Sequence, residues 1–269
     1  VSGASAIHPG YGFLSENADF AQMVEEHGIT FIGPHSDLIR KMGDKITAKQ
    51  TAKALGIPTV PGSEKPLLTE EVALSEAQRI RYPVIIKATS GGGGKGMQIV
   101  HNSQDLIEKW SLARQEAKAN FGNDVVYMEK FLSHPRHIEI QVIGDRHGNA
   151  IHLGERDCSI QRRHQKIWEE AGSPVLSAQQ RNELGEICRR ATAELGYVGA
   201  GTFEFLYEDG EFYFIEMNTR VQVEHPITEQ ITGVDIVREQ ILVAQGYPLS
   251  IRQEDIKFSG HAIEVRINA

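Results

Sequence analysis

A chain of 269 residues with 40% apolar and 24% charged side chains can form one large domain, or two smaller ones, around a sizeable core. Its 28 Lys and Arg against 36 Asp and Glu leave a net charge of −8, which argues against a general nucleic-acid binder but leaves room for a local basic pocket. Cys158 and Cys188 share no metal-type spacing and give no disulfide framework, so a reducing cytoplasm is expected. No signal peptide is visible, and no apolar run approaches the ~20 residues of a membrane-spanning helix.

The chain starts without methionine and stops inside an alternating stretch, "HAIEVRINA", so it reads as a piece of a longer protein. Residues 1 to 35 look like the tail of an α/β domain. "NADFAQMVEEHG" is a helix stopped by Gly28, and "ITFIG" is a short strand. Asp44 is placed to cap the helix "KITAKQTAKAL", and the Pro/Gly-rich "PTVPGSEKP" is a candidate boundary. Next come a helix over 70 to 81, strands "PVIIKA" and "MQIV" around a glycine loop, a helix over 104 to 118 and strand "VVYMEKFL". Strands "RHIEIQV" and "NAIHLGER", a polar loop over 157 to 171 and a helix near 178 to 195 follow. The hairpin 201 to 225 and a helix near 227 to 245 complete the series. Mixed strands and helices with antiparallel hairpins predict an α+β class rather than a doubly wound one.

Several stretches carry chemistry. "SGGGGKGM" (90 to 97) contains G-x-G-x-x-G, but a strand follows it rather than a helix, and Lys95 is not followed by Ser or Thr. A glycine loop between strands can offer backbone N–H groups to phosphates, and four glycines in a row cost more folding entropy than a simple turn requires. Lys87, ending the apolar strand before it, suits a phosphate charge.

In "GTFEFLYEDGEFYFIEMN" the turn decides the chemistry. A three-residue loop, Glu208 to Gly210, puts Glu204 and Glu216 on one face as diagonal neighbours, roughly 7–8 Å apart at Cα. A two-residue loop, Asp209-Gly210, puts them on opposite faces. Under the first, expected register, Glu204, Glu216 and Asn218 offer hard oxygen ligands suited to Mg²⁺ held with substrate phosphates. "EMNTRVQVEH" (216 to 225) extends that strand by strict alternation, with Arg220, Gln222 and Glu224 on the polar face.

"RHIEIQV" places His137, Glu139 and Gln141 on one face, and "QRRHQK" gathers Arg162, Arg163, His164 and Lys166 in a loop that could bind an anion. Arg266 lies on the polar face of "AIEVRIN" and could hold a carboxylate-like group.

Together these stretches resemble the ATP-grasp enzymes, and biotin carboxylases in particular. "HPGYGFLSEN", "MGDK", "PVIIKA" with "GGGGKGM", "YMEKFL", "PRHIEIQV", "ERDCSIQRRHQK", "GAGTFEF", "EFYFIEMNTRVQVEHP" and "EVRINA" span nearly the whole chain in the expected order. The lysines and the Glu…Glu-x-Asn set resemble those of other ATP-grasp ligases too, whereas "RRHQK" and "NTRVQVEHP" are much more specific to the biotin-dependent carboxylases.

The resemblance implies an ATP-grasp fold with nucleotide between two α+β units, one a mobile lid over about 60 to 130. Residues 1 to 42 would end an N-terminal α/β domain, 43 to 250 form the ATP-grasp domain, and 251 to 269 begin a truncated C-terminal domain. ATP would meet Lys45, Lys87, Gly92, Gly93 and Gly94, with Glu129, Lys130 and Leu132 at adenine. His137 and Gln161 would approach ribose, and His164 and Lys166 the γ-phosphate and bicarbonate. Glu204, Glu216 and Asn218 would hold Mg²⁺ or Mn²⁺. Glu224 would be the general base, Arg220 would stabilise the biotin enolate, and Arg266, Gln222 and Val223 would hold bicarbonate.

The implied activity is ATP-dependent carboxylation of biotin through carboxyphosphate, leaning toward the subunit of bacterial acetyl-CoA carboxylase in fatty-acid synthesis. Implied partners are a biotin carboxyl carrier protein, a carboxyltransferase and a second copy in a homodimer. A pyruvate or propionyl-CoA carboxylase, another ATP-grasp ligase and a non-catalytic nucleotide-binding module are the alternatives.

Overall fold

In the computed structural model, residues 2–63, 65–88, 97–163 and 165–267 are described. The glycine loop with Gly92, Gly93 and Gly94, together with His164 and Asn268, lies outside the described residues, as do the side chains of Lys45, Ile46 and Phe121. The chain folds as two compact units, one of residues 1–59 with 135–269 and the other Val60–His134.

The first unit opens with β1 (Ala6–Ile7), α1 (Ala18–Glu26), β2 (Thr30–Phe31), α2 (Ser36–Gly43) and α3 (Lys45–Ala54). β1 and β2 pair in parallel. The expected cap of α3 is present, because Asp44 Oδ1 accepts from Thr47 N at 2.8 Å.

The second unit contains α4 (Glu70–Ile80), β3 (Val84–Ala88), β4 (Met97–Val100), α5 (Leu106–Phe121) and β5 (Val126–Lys130), with the strands in antiparallel order β4-β3-β5. Strand alternation sends Val84, Ile86, Val126 and Met128 into a core with Ala73, Ala77, Trp110 and Ala113 of the helices. Lys87 and Glu129 are left on the other face.

The first unit resumes with β6 (Arg136–Gly144), β7 (Ala150–Arg162), β8 (Gln165–Ala171), α6 (Ala178–Glu194), β9 (Gly199–Glu208), β10 (Glu211–Asn218), α7 (His225–Thr232), α8 (Ile236–Ala244) and β11 (Ala262–Val265). Six strands form one antiparallel sheet, β10-β9-β6-β7-β8-β11. One sheet face is apolar: Ile140, Val142, Phe203, Phe205, Phe214 and Met217 pack with Ala48 and Ala52 of α3 and Leu184, Cys188 and Ala191 of α6. Their sequence neighbours Glu139, Gln141, Thr202 and Glu204 are also buried, so the opposite face is polar without being wet. No helix among the described residues is long and apolar enough to cross a membrane.

Four expectations need correction. Residues 157–171 are not a loop: they form the end of β7 and all of β8, with Gln161 paired to Lys166 and Arg162 to Gln165. Gln161 and Lys166 turn toward the site, whereas Arg162 and Arg163 are exposed. The helix expected near 227 to 245 is two helices, because Gly233 terminates α7 at φ 72° and Asp235 caps α8. The strand expected through 225 ends at Asn218, and Pro226 in the first turn of α7 starts a helix instead.

Finally, the β9–β10 turn has two residues, since Glu208 pairs with Glu211, and both Asp209 (φ 53°) and Gly210 (φ 87°) are left-handed. That turn alone would separate Glu204 from Glu216. The ladder shifts register between Phe214 and Glu216, and the extra residue, Ile215, restores the pairing.

Candidate active site

The polar face of the sheet is built from cross-strand rows. Arg156 of β7 pairs with Glu139 of β6, Glu139 with Glu204 of β9, and Glu204 with Glu216 of β10. Three carboxylates thus stand side by side on adjacent strands, at a spacing of about 4.8 Å between strands. The next row is Gln141, Thr202 and Asn218.

Like charges directly opposite one another destabilise a sheet unless cations intervene. Lys166 of β8 intervenes: its Nζ donates to Glu139 Oε2 (2.5 Å), Glu204 Oε1 (3.1 Å) and Glu224 Oε1 (2.8 Å). His137 Nε2 lies 2.8 Å from Glu204 Oε2, and Gln161 Nε2 lies 3.3 Å from His137 Nδ1. Burial alone would raise the carboxyl pKa of Glu139, but Lys166 and Arg156 hold it down, to about 2. Glu204 is likewise lowered to about 2, with burial opposed by the His137 hydrogen bond and by Lys166. For Lys166, burial favours the neutral amine, yet Glu139 and Glu204 outweigh it and shift its pKa upward.

Residues 219–224 carry the rest of the site as a loop. Gln222 is buried; its Nε2 donates to Glu204 Oε1 (2.8 Å) and Asn218 Oδ1 (3.1 Å). Arg220 donates from Nε to Glu16 Oε2 (2.8 Å) and from NH2 to Asn218 Oδ1 (2.7 Å). Glu16 Oε1 also accepts from Thr219 N at 3.0 Å, which pins the start of this loop.

Glu224 is buried and gripped on both oxygens, because Arg266 NH2 donates to its Oε2 at 2.8 Å while Lys166 holds Oε1. Arg266 Nε is 2.6 Å from Glu169 Oε1, a fully buried carboxylate. Burial pushes Glu169 upward, Arg266 opposes that rise only in part, and Glu224 adds to it.

These residues surround one cavity of about 490 Å³ in the first unit. The expected Lys166, Glu204, Glu216, Asn218, Arg220, Gln222, Val223, Glu224 and Arg266 all line it, together with His137, Gln161 and Tyr11. In the second unit, Lys87 Nζ donates to Glu129 Oε2 at 2.5 Å. Lys130 Nζ is tied to the carbonyl oxygens of Arg81 (3.1 Å) and Tyr82 (3.0 Å), and Leu132 is half-buried.

Residues 44–252 match the family model of the carbamoyl-phosphate synthase L chain, ATP binding domain, and residues 1–39 match that of the biotin carboxylase N-terminal domain. Over 270 aligned residues the chain is 60% identical to the biotin carboxylase of Haemophilus influenzae, covering 100% of this chain and 60% of that protein. The chain belongs to the ATP-grasp family of the biotin carboxylases.

Among solved biotin carboxylase structures, the domain of a thermophilic 2-oxoglutarate carboxylase bound to ADP matches with a TM-score of 0.93 at 54% identity, covering 98% of this chain and 59% of that one. The same domain bound to bicarbonate matches with a TM-score of 0.92 at 52% identity, covering 99% and 59%. The chain therefore spans 59–60% of the length of these biotin carboxylase relatives.

The polar groups around the cavity include several to which the sequence alone assigns no role: Glu139, Arg156, Glu169 and Glu16. Glu139 was visible on a polar strand face, but its pairing with Glu204 joins strands far apart in sequence. Arg156 carries a local signal, charge inside a strand, Glu169 falls in a stretch read as a loop, and Glu16 lies in "HPGYGFLSEN" with no role of its own. The donor set fits a hard divalent cation. Glu216 directly opposes Glu204, lines the cavity, and has no hydrogen bond or ion pair among the described residues, which leaves its oxygens open to a cation.

Proposed function

We propose that this chain carries the phosphoryl-transfer and bicarbonate site of a biotin carboxylase. The observation that supports this best is the grip of Lys166 and Arg266 on the two oxygens of Glu224. Two cationic donors around a planar carboxylate make a site for a planar oxyanion, and bicarbonate has that shape and charge. The likeness to a domain bound to bicarbonate supports the same reading.

In this proposal Glu224 takes the proton of bicarbonate, whose oxygen then attacks the γ-phosphorus of ATP as ADP leaves. The carboxyphosphate so formed breaks into CO₂ and phosphate. Phosphate takes the ureido N–H proton of biotin, and the nitrogen bonds to the carbon of CO₂. Arg220 offsets the negative charge on the ureido oxygen. Gln222, the Val223 backbone and Arg266 orient bicarbonate, while Lys166 offsets charge at the transferred phosphoryl group. Glu204 and Glu216, with Asn218, would hold Mg²⁺ or Mn²⁺, which supplies charge neutralisation at the phosphate oxygens when bound.

Lys45, Lys87, Gly92, Gly93, Gly94 and His164 are assigned to phosphate groups, Glu129, Lys130 and Leu132 to adenine, and His137 and Gln161 to ribose. The lid over about 60 to 130 and the domain limits at 42 and 250 belong to the same proposal. So do a biotin carboxyl carrier protein and carboxyltransferase as partners, a homodimer, a cytoplasmic location, and the first half-reaction of acetyl-CoA carboxylase.

The test is ADP release by the full-length protein with bicarbonate and biotin omitted in turn. The proposal expects release to require bicarbonate and to rise with biotin. Release that ignores bicarbonate but needs an amino acid or a peptide overturns it, in favour of another ATP-grasp ligase.

A further inference from the structure

Arg156 lies in β7, fully buried, and does not line the cavity. Its guanidinium donates from Nε to Glu139 Oε1 (2.5 Å), from NH1 to Gln141 Oε1 (2.8 Å) and Thr228 Oγ1 (2.9 Å), and from NH2 to Gln222 Oε1 (2.7 Å) and Thr202 Oγ1 (3.3 Å). An arginine has five N–H donors and no acceptor, so this group is saturated by its surroundings.

That chemistry has a directional consequence. Because Arg156 can only donate, Gln222 must turn its oxygen toward it and its NH₂ group away. The NH₂ group then meets Glu204 Oε1 at 2.8 Å and Asn218 Oδ1 at 3.1 Å. With the amide reversed, a carbonyl oxygen would face a carboxylate and an amide oxygen, and NH₂ would face a cation. The second arm runs through Glu139, whose Oε1 is held by Arg156 while its Oε2 anchors Lys166 at 2.5 Å. Thr228 connects the same guanidinium to α7, the helix that begins directly after Glu224.

We infer that Arg156 is a positioning residue that fixes the Gln222 amide and the Lys166 ammonium from within the buried polar face of the sheet, without touching substrate. Burying so much polar surface is costly unless every group is paired, and here the pairing orients two groups in the cavity. Only the kinetic part of the test rests on the carboxylase reading.

The test uses the full-length protein with ¹⁵N-labelled glutamine, the Gln222 side-chain amide being assigned by its loss in Gln222→Leu. Wild-type protein is expected to show that amide exchanging with solvent at least about 10-fold more slowly than an exposed glutamine amide. A freely exchanging Gln222 amide in the wild type overturns the inference without any Arg156 variant being made. Arg156→Lys keeps a charge beside Glu139 but cannot match the planar five-donor fork. In that variant the Gln222 amide is expected to move toward free-glutamine positions. The KM for bicarbonate is expected to rise about 10-fold while that for ATP changes by less than about 2-fold. Unchanged amide signals, or equal rises in both KM values, overturn the inference. If the wild-type protein shows no bicarbonate-dependent ADP release, the carboxylase reading fails, and the amide signals alone decide whether Arg156 sets Gln222.

Discussion

Glu204 and Glu216 are direct cross-strand partners because Ile215 is inserted between Phe214 and Glu216. Phe214 and Met217 both reach the apolar core, although three positions apart, while Ile215 and Glu216 both line the cavity. A regular strand cannot place residues three apart on one face. The bulge therefore turns a tight two-residue hairpin into a two-carboxylate site.

Under the proposed metal role, two carboxylates placed in this way would trade stability for metal affinity. Glu216→Gln is expected to raise the stability of the metal-free protein by about 0.5 kcal/mol, through relief of like-charge repulsion. The same variant is expected to bind Mn²⁺ at least about 10-fold more weakly. Urea unfolding and Mn²⁺ titration read the two effects separately. A stability loss with unchanged Mn²⁺ affinity would mean that Glu216 is held by other contacts.

Glu139 bridges Arg156 and Lys166 with no exposed surface. Replacing it by glutamine leaves Arg156 buried without its carboxylate, and loss of one partner from a buried pair costs about 3–5 kcal/mol. Glu139→Gln is thus expected to lower the urea midpoint strongly without altering the denaturant slope.

The same carboxylate gives a defined pH dependence. The folded protein holds Glu139 at about 2, against its ordinary 4.5, so the unfolded chain binds this proton first as pH falls. Its contribution is complete above the ordinary carboxylate value and is lost progressively from about 4.5 down toward about 2. Unfolding free energies of wild type and Glu139→Gln are expected to converge across that window and to run parallel above it. Parallel curves throughout would contradict the low folded-state value.

Cys158 and Cys188 are both fully buried, and burial pushes both thiols well above 9. Iodoacetamide at pH 8 is expected to leave both unmodified in the native protein and to alkylate both after unfolding in guanidinium. Mass spectrometry of the two samples reads this directly.

Local signals exposed much of this architecture before any coordinates. Asp44 before a helical stretch gave its cap, and alternation in "EFYFIEMN" gave Glu216 and Asn218 one shared strand. The turn was misread because Glu208-Asp209-Gly210 is compatible with two loop lengths, and only pairing across the hairpin distinguishes them. The β7–β8 hairpin looked like a loop because exposed Arg162 and Arg163 sit beside Lys166, whose partners lie on β6, on β9 and in the loop 219–224. Arg156 shows locally only as a charge inside a strand; its importance lies in five partners spread over residues 139 to 228, which no window of sequence brings together.

The central claim is that bicarbonate is activated by ATP in this cavity and its carbon delivered to biotin. Incubating the full-length protein with ¹⁴C-bicarbonate, Mg²⁺-ATP and biotin tests it most directly. The expected result is acid-labile label on biotin that requires ATP, and that is lost in Arg220→Ala while ADP release with bicarbonate persists. ATP consumption with no label on biotin, or undiminished labelling in Arg220→Ala, would contradict the account.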